Sequence, residues 1–214
     1  MQVKHIFAGL LAMVIVLFAR LITAVRAIWD GVGPTPATRV YFANHTSNGD
    51  FVLVWAVLPP QLRRRTRPVA ASDYWLRTKL KTFIGREVFN AILIDRNRET
   101  REQDPITLMA EALAEGSSLI LFPEGTRNTS EEALLPFKTG LYHLASQCPD
   151  VDLVPVWIEN LSQVMPKGEV FPLPLLCTVR FGDTIRLKED EGKGAFLERS
   201  HAALLALKEH GDGA

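Results

Sequence analysis

Ser118-Leu119-Ile120-Leu121-Phe122-Pro123-Glu124-Gly125-Thr126-Arg127 is the stretch of this sequence that decides its fold. Residues 118–122 form a strongly apolar run of strand length. Pro123 lacks the N–H that a sheet ladder requires, so it ends the strand. Gly125 then permits a positive φ or the close approach of another backbone. The stretch predicts a strand that runs directly into a tight turn.

Short apolar strands alternate with helices of roughly 10–15 residues on both sides of this stretch. Strands are predicted at 39–43, 68–71, 91–94, 118–122, 153–158 and 178–181. Helices are predicted at 50–58, 73–84, 105–116, 138–146 and 195–209. This alternation favours an α/β fold with a largely parallel sheet flanked by helices. A chain of 214 residues can build this sheet as one domain with a substantial core.

The N-terminal segment is strongly hydrophobic. Residues 6–25 are apolar or small except for Arg20 and Thr23, and about 20 helical residues match a hydrocarbon core about 30 Å thick. We therefore expect residues 1–30 to be a membrane-anchor helix, either spanning or deeply embedded. A cleaved signal peptide and a helix buried in the core are the alternatives. If the helix spans, the basic residues after it place the body of the protein on the cytoplasmic face, which is the inner membrane in a bacterium.

His45 and Asp50 are candidates for acid–base chemistry. His45 follows the strand at 39–43, and Asp50 begins the next helix. On a continuous helix this spacing would put the two side chains about 140° apart, so a turn at Gly49 is needed to bring them together. An aspartate that accepts from one ring nitrogen leaves the other nitrogen free to act as a base. In isolation, a structural histidine and a chance H-x-x-x-x-D pattern are simpler explanations.

The turn after residues 118–122 is a candidate anion site. Arg127 offers a planar fork that suits phosphate oxygens, although a surface Glu–Arg pair is the alternative. Glu124 cannot bind an anion, so we expect it to position a substrate hydroxyl or a nearby arginine. Ligands of parallel sheets gather at the carboxyl ends of the strands. His45, residues 95–96 and residues 124–127 all follow predicted strands, so we expect them at one edge of the sheet.

Five short segments, in order and spacing from about residue 39 to residue 160, resemble the signature blocks of the glycerolipid acyltransferase family, which includes the 1-acylglycerol-3-phosphate acyltransferases. The matching segments are His45-x-x-x-x-Asp50, Ile94-Asp95-Arg96, Phe122-Pro123-Glu124-Gly125-Thr126-Arg127, Pro136-Phe137-Lys138-Thr139-Gly140 and Val154-Pro155-Val156. The chain is identified as a member of this family, with residues 31–214 as the acyltransferase catalytic domain.

The resemblance implies a reaction and a role for each block. His45, oriented by Asp50, would remove the proton of a glycerol hydroxyl on a lysophospholipid. The alkoxide would attack the thioester of an acyl-CoA or an acyl carrier protein, without an acyl-enzyme, a cofactor or a metal. The substrate-binding residues implied by the other blocks are Arg96 and Arg127 for the acceptor phosphate, Lys138 as a third cation, the turn residues Glu124, Gly125 and Thr126, and Pro155 near the acyl donor.

The most direct expectation is that 1-acylglycerol-3-phosphate is converted to phosphatidic acid. The same chemistry on a lyso-ornithine lipid, another lysolipid or glycerol 3-phosphate is an alternative. A lipid hydrolase, in which His45 activates water, belongs to a different class. A lipid-binding module without catalysis is the remaining alternative.

Charge is unevenly distributed along the chain, although the net charge is zero. Residues 61–101 carry eleven Lys or Arg and four acidic residues, whereas residues 102–214 carry nine basic and eighteen acidic residues. The basic region is either a solvated face or a surface that attracts anionic lipid headgroups or an acidic acyl carrier protein. Nucleic acid is not an expected partner, because no recognition motif accompanies the basic residues.

Overall fold

The computed structural model describes residues 2–97, 99, 101–159 and 176–209. The strands are β1 (Arg26–Trp29), β2 (Arg39–Ala43), β3 (Thr66–Ala71), β4 (Ile92–Ile94), β5 (Ser118–Leu121), β6 (Asp152–Glu159) and β7 (Thr178–Phe181). They form one sheet in the order β1-β7-β6-β2-β5-β3-β4. All neighbouring pairs are parallel except β6 and β7, which run antiparallel. The expectation of a largely parallel sheet flanked by helices is confirmed.

Helices cover both faces of this sheet. They are α1 (Gln2–Thr23), α2 (Asp50–Val57), α3 (Pro60–Arg63), α4 (Ser72–Trp75), α5 (Lys79–Phe83), α6 (Pro105–Ala114), α7 (Gly140–Gln147) and α8 (Lys193–Glu209), and a π-helical turn follows α5 at Ile84–Val88. Helix α6 begins as the sequence predicts: Pro105 is its first residue, and the side chain of Asp104 accepts the backbone N–H groups of Ile106 and Thr107.

The central strand β2 divides the core in two, because successive side chains of a strand point to opposite faces. Tyr41 and Ala43 pack into the cluster that includes α2 and the π-helical turn, with α1 against it. Val40 and Phe42 pack into the cluster with α6, α7 and α8. All five residues of β2 are buried. Strand β2 therefore has a fixed position, and the residue that follows it is held on a rigid support.

The prediction of one continuous helix at 73–84 is wrong. The chain forms α4, breaks at residues 76–78, and resumes as α5 and the π-helical turn. The break occurs because Thr78 adopts an extended backbone and its side chain accepts the N–H of Lys81, which starts a new helix. Gly85 lies in the π-helical turn, where an added Cβ would be 3.0 Å from the Trp75 ring. This glycine allows the turn to pack against Trp75.

The N-terminal segment differs from the expectation at its C-terminal end. Helix α1 ends at Thr23, and residues 26–29, which the sequence places with the anchor, form the edge strand β1 beside β7. The stretch Lys4–Thr23 has a mean hydropathy of 2.5 and is long and apolar enough to cross a membrane by length and composition. One face of α1 packs on the body of the protein through Ala8 and Val16. The opposite face exposes the large apolar residues Ile6, Phe7, Leu10, Met13, Val14, Leu17, Phe18 and Leu21.

Candidate active site

The site lies where two adjacent parallel strands end. Strands β2 and β5 pair with Phe42 beside Leu121, so the residues after each strand emerge side by side. His45 follows β2, and residues 122–127 follow β5. The prediction that these two segments meet at the carboxyl edge of the sheet is confirmed. Ligand sites of parallel α/β folds generally lie at this edge.

His45 and Asp50 are in direct contact. The Nδ1 atom of His45 lies 2.8 Å from Oδ2 of Asp50. The His45 side chain is 20% exposed, whereas that of Asp50 is fully buried. With the proton on Nδ1, the ring donates to the carboxylate, and Nε2 is left as the unprotonated nitrogen. The pair therefore has the arrangement of a general base and the group that orients it.

Asp50 is held by the turn that precedes α2. Its Oδ2 atom accepts the backbone N–H of Thr46 at 2.7 Å and that of Ser47 at 2.8 Å, in addition to the His45 ring. Its other oxygen, Oδ1, is buried without a hydrogen-bond partner in the part of the chain that the structure describes. The two N–H groups fix the carboxylate on the short loop, so the five-residue spacing brings the side chains together without a continuous helix.

Phe122 supports the other side of the histidine ring. The two rings are stacked, with centroids 4.2 Å apart and planes 19° from parallel. Phe122 is the first residue after β5, so the sheet sets its position. Asp50 thus restrains the ring at its edge, and Phe122 restrains it at its face.

Glu124 connects the two segments from within. One carboxylate oxygen accepts the backbone N–H of His45 at 2.7 Å, and the other accepts the N–H of Leu135 at 3.0 Å. The residue is 1% exposed. Burial raises the pKa of this carboxyl, and the two backbone hydrogen bonds oppose part of the rise. In the structure both oxygens of Glu124 accept backbone N–H groups, so the carboxylate holds the backbone of His45. The expectation that it positions a substrate hydroxyl or an arginine stays a prediction.

Backbone and amide contacts complete the fixation of His45. The carbonyl of His45 accepts the N–H of Asn128 at 2.6 Å. Asn44 is buried, donates to the carbonyl of Ile158 at 3.0 Å and accepts its N–H at 2.8 Å, which ties the end of β2 to β6. The backbone of His45 is therefore held by the loop after β5, and the residue before it is held by β6.

A cavity of about 320 Å³ opens beside His45. Its lining includes the two cations Arg96 and Lys138, and the polar side chain of Asn48. Most of the remaining lining is apolar: Phe51, Pro68, Val69, Ala70, Ala71, Tyr74, Trp75, Ile94, Met109, Leu121, Phe122, Pro123 and Leu141. A concave, largely apolar site with a few polar groups is typical of small-molecule binding. This cavity suits a ligand with an anionic group and a hydrocarbon portion.

The predicted binding residues divide into two groups. Arg96, Gly125 and Lys138 line the cavity with His45. Gly125 has a φ of +70°, and an added Cβ would lie 3.0 Å from Cγ of Lys138, so the turn requires glycine. Thr126 and Arg127 are exposed on the same turn but are not part of the lining.

Pro155 is also outside the cavity lining. It lies buried within β6, in register with Phe42 of β2. Its carbonyl accepts the N–H of Gly182, which connects β6 to the turn after β7. Its contacts are thus those of a residue in the centre of the sheet.

Several residues at the site carry no role in the sequence-based prediction. Asn44, Asn48 and Asn128 fall in this group, as do the stacking ring of Phe122 and the aromatic wall of Phe51, Tyr74 and Trp75. Phe122 and Asn44 could have been found from position alone, because Phe122 is the last residue of the strand predicted at 118–122 and Asn44 is the first residue after the strand predicted at 39–43. The aromatic wall could not, since Phe51 lies in α2 and Tyr74 and Trp75 lie in α4, and the sequence pattern does not show that these two helices meet.

The residues around the cavity indicate which kind of ligand the site can hold. A base, two cations and an apolar wall can hold an anionic, partly hydrophobic alcohol and remove its proton. Among the described residues, no group of three or more His, Cys, Asp or Glu side chains could hold a metal ion. The expectation that the reaction requires no metal stays a prediction.

Comparison with known proteins identifies the type of domain. A family model described as Acyltransferase matches residues 34–159, the segment that contains β2 to β6 and the whole of the cavity lining. The structure is similar to the crystal structure of the 1-acyl-sn-glycerophosphate acyltransferase from Thermotoga maritima. The TM-score is 0.71 at 18% sequence identity, over 95% of this chain and 81% of that chain. This likeness shows a common fold.

Curated relatives carry the same type of name. The 1-acyl-sn-glycerol-3-phosphate acyltransferase of Saccharomyces cerevisiae is 33% identical over 137 residues, which are 62% of this chain and 42% of the yeast protein. The alpha form of Mus musculus is 31% identical over 175 residues, which are 78% of this chain and 57% of the mouse protein. The Escherichia coli protein is 32% identical over 130 residues, with 58% and 47% covered. The chain spans about half the length of the curated relatives it matches.

Proposed function

The chain belongs to the acyltransferase family, and on this premise we propose that it transfers a fatty acyl group from an acyl thioester to the free hydroxyl of a lysophospholipid. The acceptor we favour is 1-acylglycerol-3-phosphate, which would give phosphatidic acid. The observation that carries the proposal is the 2.8 Å contact between His45 Nδ1 and Asp50 Oδ2 beside a cavity lined by Arg96 and Lys138.

The proposed reaction begins with deprotonation of the acceptor. Nε2 of His45 takes the proton of the glycerol hydroxyl while Nδ1 donates to Asp50, whose negative charge stabilises the imidazolium. The hydroxyl oxygen attacks the thioester carbonyl, and a tetrahedral intermediate forms. Its collapse breaks the carbon–sulfur bond, and the imidazolium proton passes to the departing thiolate. His45 returns to its starting state, and no covalent acyl-enzyme is needed.

The two cations at the cavity support a phosphorylated acceptor. Arg96 presents a planar guanidinium and Lys138 a point charge, and both types of group bind phosphate. The Arg96 side chain is largely exposed and pairs with the Asp73 carboxylate at 3.8 Å. A loose surface ion pair of this kind contributes little, so the guanidinium can turn to a phosphate at low cost. The binding energy then orients the hydroxyl at His45.

The exposed face of α1 supports residence at a membrane. Its large apolar side chains recur at the helical period along the whole helix, and the inner face packs on α2 and the π-helical turn. We infer that the exposed face enters the bilayer on the cytoplasmic side. A lysolipid acceptor resides in the same bilayer, so attachment converts a search in solution into one along a surface.

A product assay tests the proposed function. Detergent-purified protein is incubated with lysophosphatidic acid and a labelled acyl donor, either a long-chain acyl-CoA or a long-chain acyl-acyl carrier protein. The labelled lipids are then separated. Labelled phosphatidic acid is expected. Labelled free fatty acid without an acylated lipid would instead make the protein a hydrolase. Acylation of glycerol 3-phosphate or a lyso-ornithine lipid in preference to lysophosphatidic acid would keep the chemistry and replace the acceptor.

A further inference from the structure

A second exposed apolar surface lies outside helix α1. Between α4 and the π-helical turn, Leu76 is 46% exposed and Leu80 is 66% exposed. Both belong to the segment 74–86, which also contains Arg77, Lys79, Lys81 and Arg86. Large exposed apolar side chains surrounded by basic ones are unusual on a surface that faces only water.

This segment is continuous with the exposed face of α1. The rings of Phe7 in α1 and Phe83 in α5 lie with centroids 5.8 Å apart. Phe7 belongs to the outer face of α1, and that helix packs against the π-helical turn that follows Phe83. A bilayer that receives the outer face of α1 would therefore meet the segment 74–86 as well.

The basic side chains of the segment surround an open groove. Arg77, Lys79 and Arg86 line it and are exposed, and Thr78 and Thr82 belong to the same lining. The only carboxylate in this lining is Glu87, and the groove has a volume of about 460 Å³. Lys81 takes a separate position, with its ammonium 3.9 Å from the centre of the Tyr74 ring. The groove carries an excess of positive charge next to two leucines.

We propose that the segment 74–86 is a second membrane-contacting surface, which binds anionic phospholipid headgroups through Arg77, Lys79 and Arg86 while Leu76 and Leu80 enter the lipid. The consequence for catalysis rests on the proposed function. Tyr74 and Trp75, at the start of the segment, line the cavity that contains His45. Docking of the segment would place that cavity at the lipid surface, where a lysolipid can enter from the bilayer.

An acidic acyl carrier protein is the competing occupant, because it would also match the positive charge. The two exposed leucines and their continuity with α1 favour the bilayer, since α1 brings the same lipid surface to this position. Each Lys or Arg near an anionic bilayer strengthens binding about fivefold at moderate salt. Docking is therefore expected to depend on the anionic lipid content and on salt.

The test measures where residue 80 lies when the full chain is bound to vesicles without substrates. A Leu80→Cys variant, made with Cys148→Ser, is labelled with an environment-sensitive dye. It is added to phosphatidylcholine vesicles with or without phosphatidylglycerol. The same dye at Glu189→Cys, an exposed position before α8, reports a surface away from the proposed contact. Brominated lipids in the vesicles quench any dye that reaches the acyl chains.

The proposal predicts a blue shift and quenching at position 80, increasing with phosphatidylglycerol, and neither at position 189. Lys79→Gln with Arg86→Gln should weaken docking about fivefold for each charge removed. The matched pair Lys188→Gln with Lys193→Gln, both exposed, should leave it unchanged. A dye at position 80 that stays in water on anionic vesicles would overturn the proposal.

Two further outcomes would also overturn it. One is a shift at position 80 that has the same size on both kinds of vesicle and does not change in the Lys79→Gln, Arg86→Gln double variant. Such a result would show that the segment does not bind anionic headgroups. The other is a shift produced by acyl carrier protein and not by vesicles, which would assign the surface to that protein. Because no turnover is measured, a wild-type protein without transferase activity would refute the proposed function and leave this result standing.

Discussion

Glu124 accepts the backbone N–H of His45 at 2.7 Å, so a buried carboxylate after β5 fixes the residue that follows β2. Its second oxygen accepts the N–H of Leu135 and holds the loop that leads to Lys138. One side chain thereby sets the position of the proposed base relative to one wall of the cavity. The role is one of positioning, since Glu124 itself does not line the cavity.

Glu124→Gln should change the pH dependence of stability. Burial raises the pKa of Glu124 above its ordinary value of 4.5. A carboxyl that binds its proton more tightly in the folded chain stabilises folding fully below its ordinary pKa, and this contribution is lost as the pH rises through the raised pKa. The free energy of unfolding of the wild type relative to Glu124→Gln should therefore decrease as the pH rises from the ordinary pKa of 4.5 through the raised pKa. Denaturant titrations in detergent at several pH values measure this difference in unfolding free energy between the two proteins. A difference that grows with pH would contradict the prediction.

Asp50→Asn should lower turnover about 10²-fold or more, because a neutral amide carries no negative charge to stabilise the imidazolium that forms when His45 takes the proton. Asp50 is buried and Oδ2 accepts three bonds, so a loss of about 1–3 kcal/mol of stability should accompany the change. Asp190→Asn is a suitable control, since Asp190 is exposed and its φ of 60° tolerates asparagine. Unchanged kcat in Asp50→Asn would remove the carboxylate from the mechanism.

Phe122→Leu should reduce kcat by about two- to tenfold, because it removes a stacking contact worth about 0.5–1.5 kcal/mol from the face of the His45 ring. The acceptor KM should change less than kcat, since the substitution keeps an apolar side chain at the cavity wall. Phe196→Leu, a fully buried position in α8, controls for general loss of packing. An equal loss of kcat in both variants would show that Phe122 acts only through stability.

Arg96→Gln should raise the KM for the phosphorylated acceptor by about 10- to 100-fold, the range for loss of a charge-assisted hydrogen bond. Arg127→Gln should have a smaller effect, because Arg127 is exposed and lies outside the cavity lining. Initial rates at varied lysophosphatidic acid and fixed acyl donor measure both constants. A larger effect from Arg127→Gln than from Arg96→Gln would show that the acceptor phosphate binds at the turn after β5 instead.

Much of the fold could be predicted, because the strands are short apolar runs ended by Pro, Gly or polar residues. Strand β7 was predicted at its observed bounds, and β2 likewise. Strand β1 was not, since Arg26–Trp29 continues the apolar N-terminal segment and pairs only with β7, far along the chain. The break between α4 and α5 was missed because the apolar period continues through it, while the cap at Thr78 acts locally.

At the site, the five-residue spacing predicts contact between His45 and Asp50 only if a turn at Gly49 intervenes, and the structure has the two side chains in contact over a short loop. Their roles as base and orienting group are implied by the family resemblance, since the pattern alone is weak. Residue type and spacing were insufficient for Glu124. A carboxylate in a turn can face a substrate or a buried N–H, and only the approach of the backbone at His45 and Leu135 decides between them. The same holds for Arg127, whose side-chain position depends on which way the turn after Gly125 faces.

The most direct test of His45 as the base compares the kcat of wild type and His45→Gln for labelled phosphatidic acid formation at saturating concentrations of both substrates. We predict a decrease of about 10²–10⁴-fold, with the unfolding transition of the variant within about 1 kcal/mol of wild type, as expected for a side chain that is partly exposed. A folded His45→Gln variant that forms phosphatidic acid at a rate close to that of the wild type would contradict it.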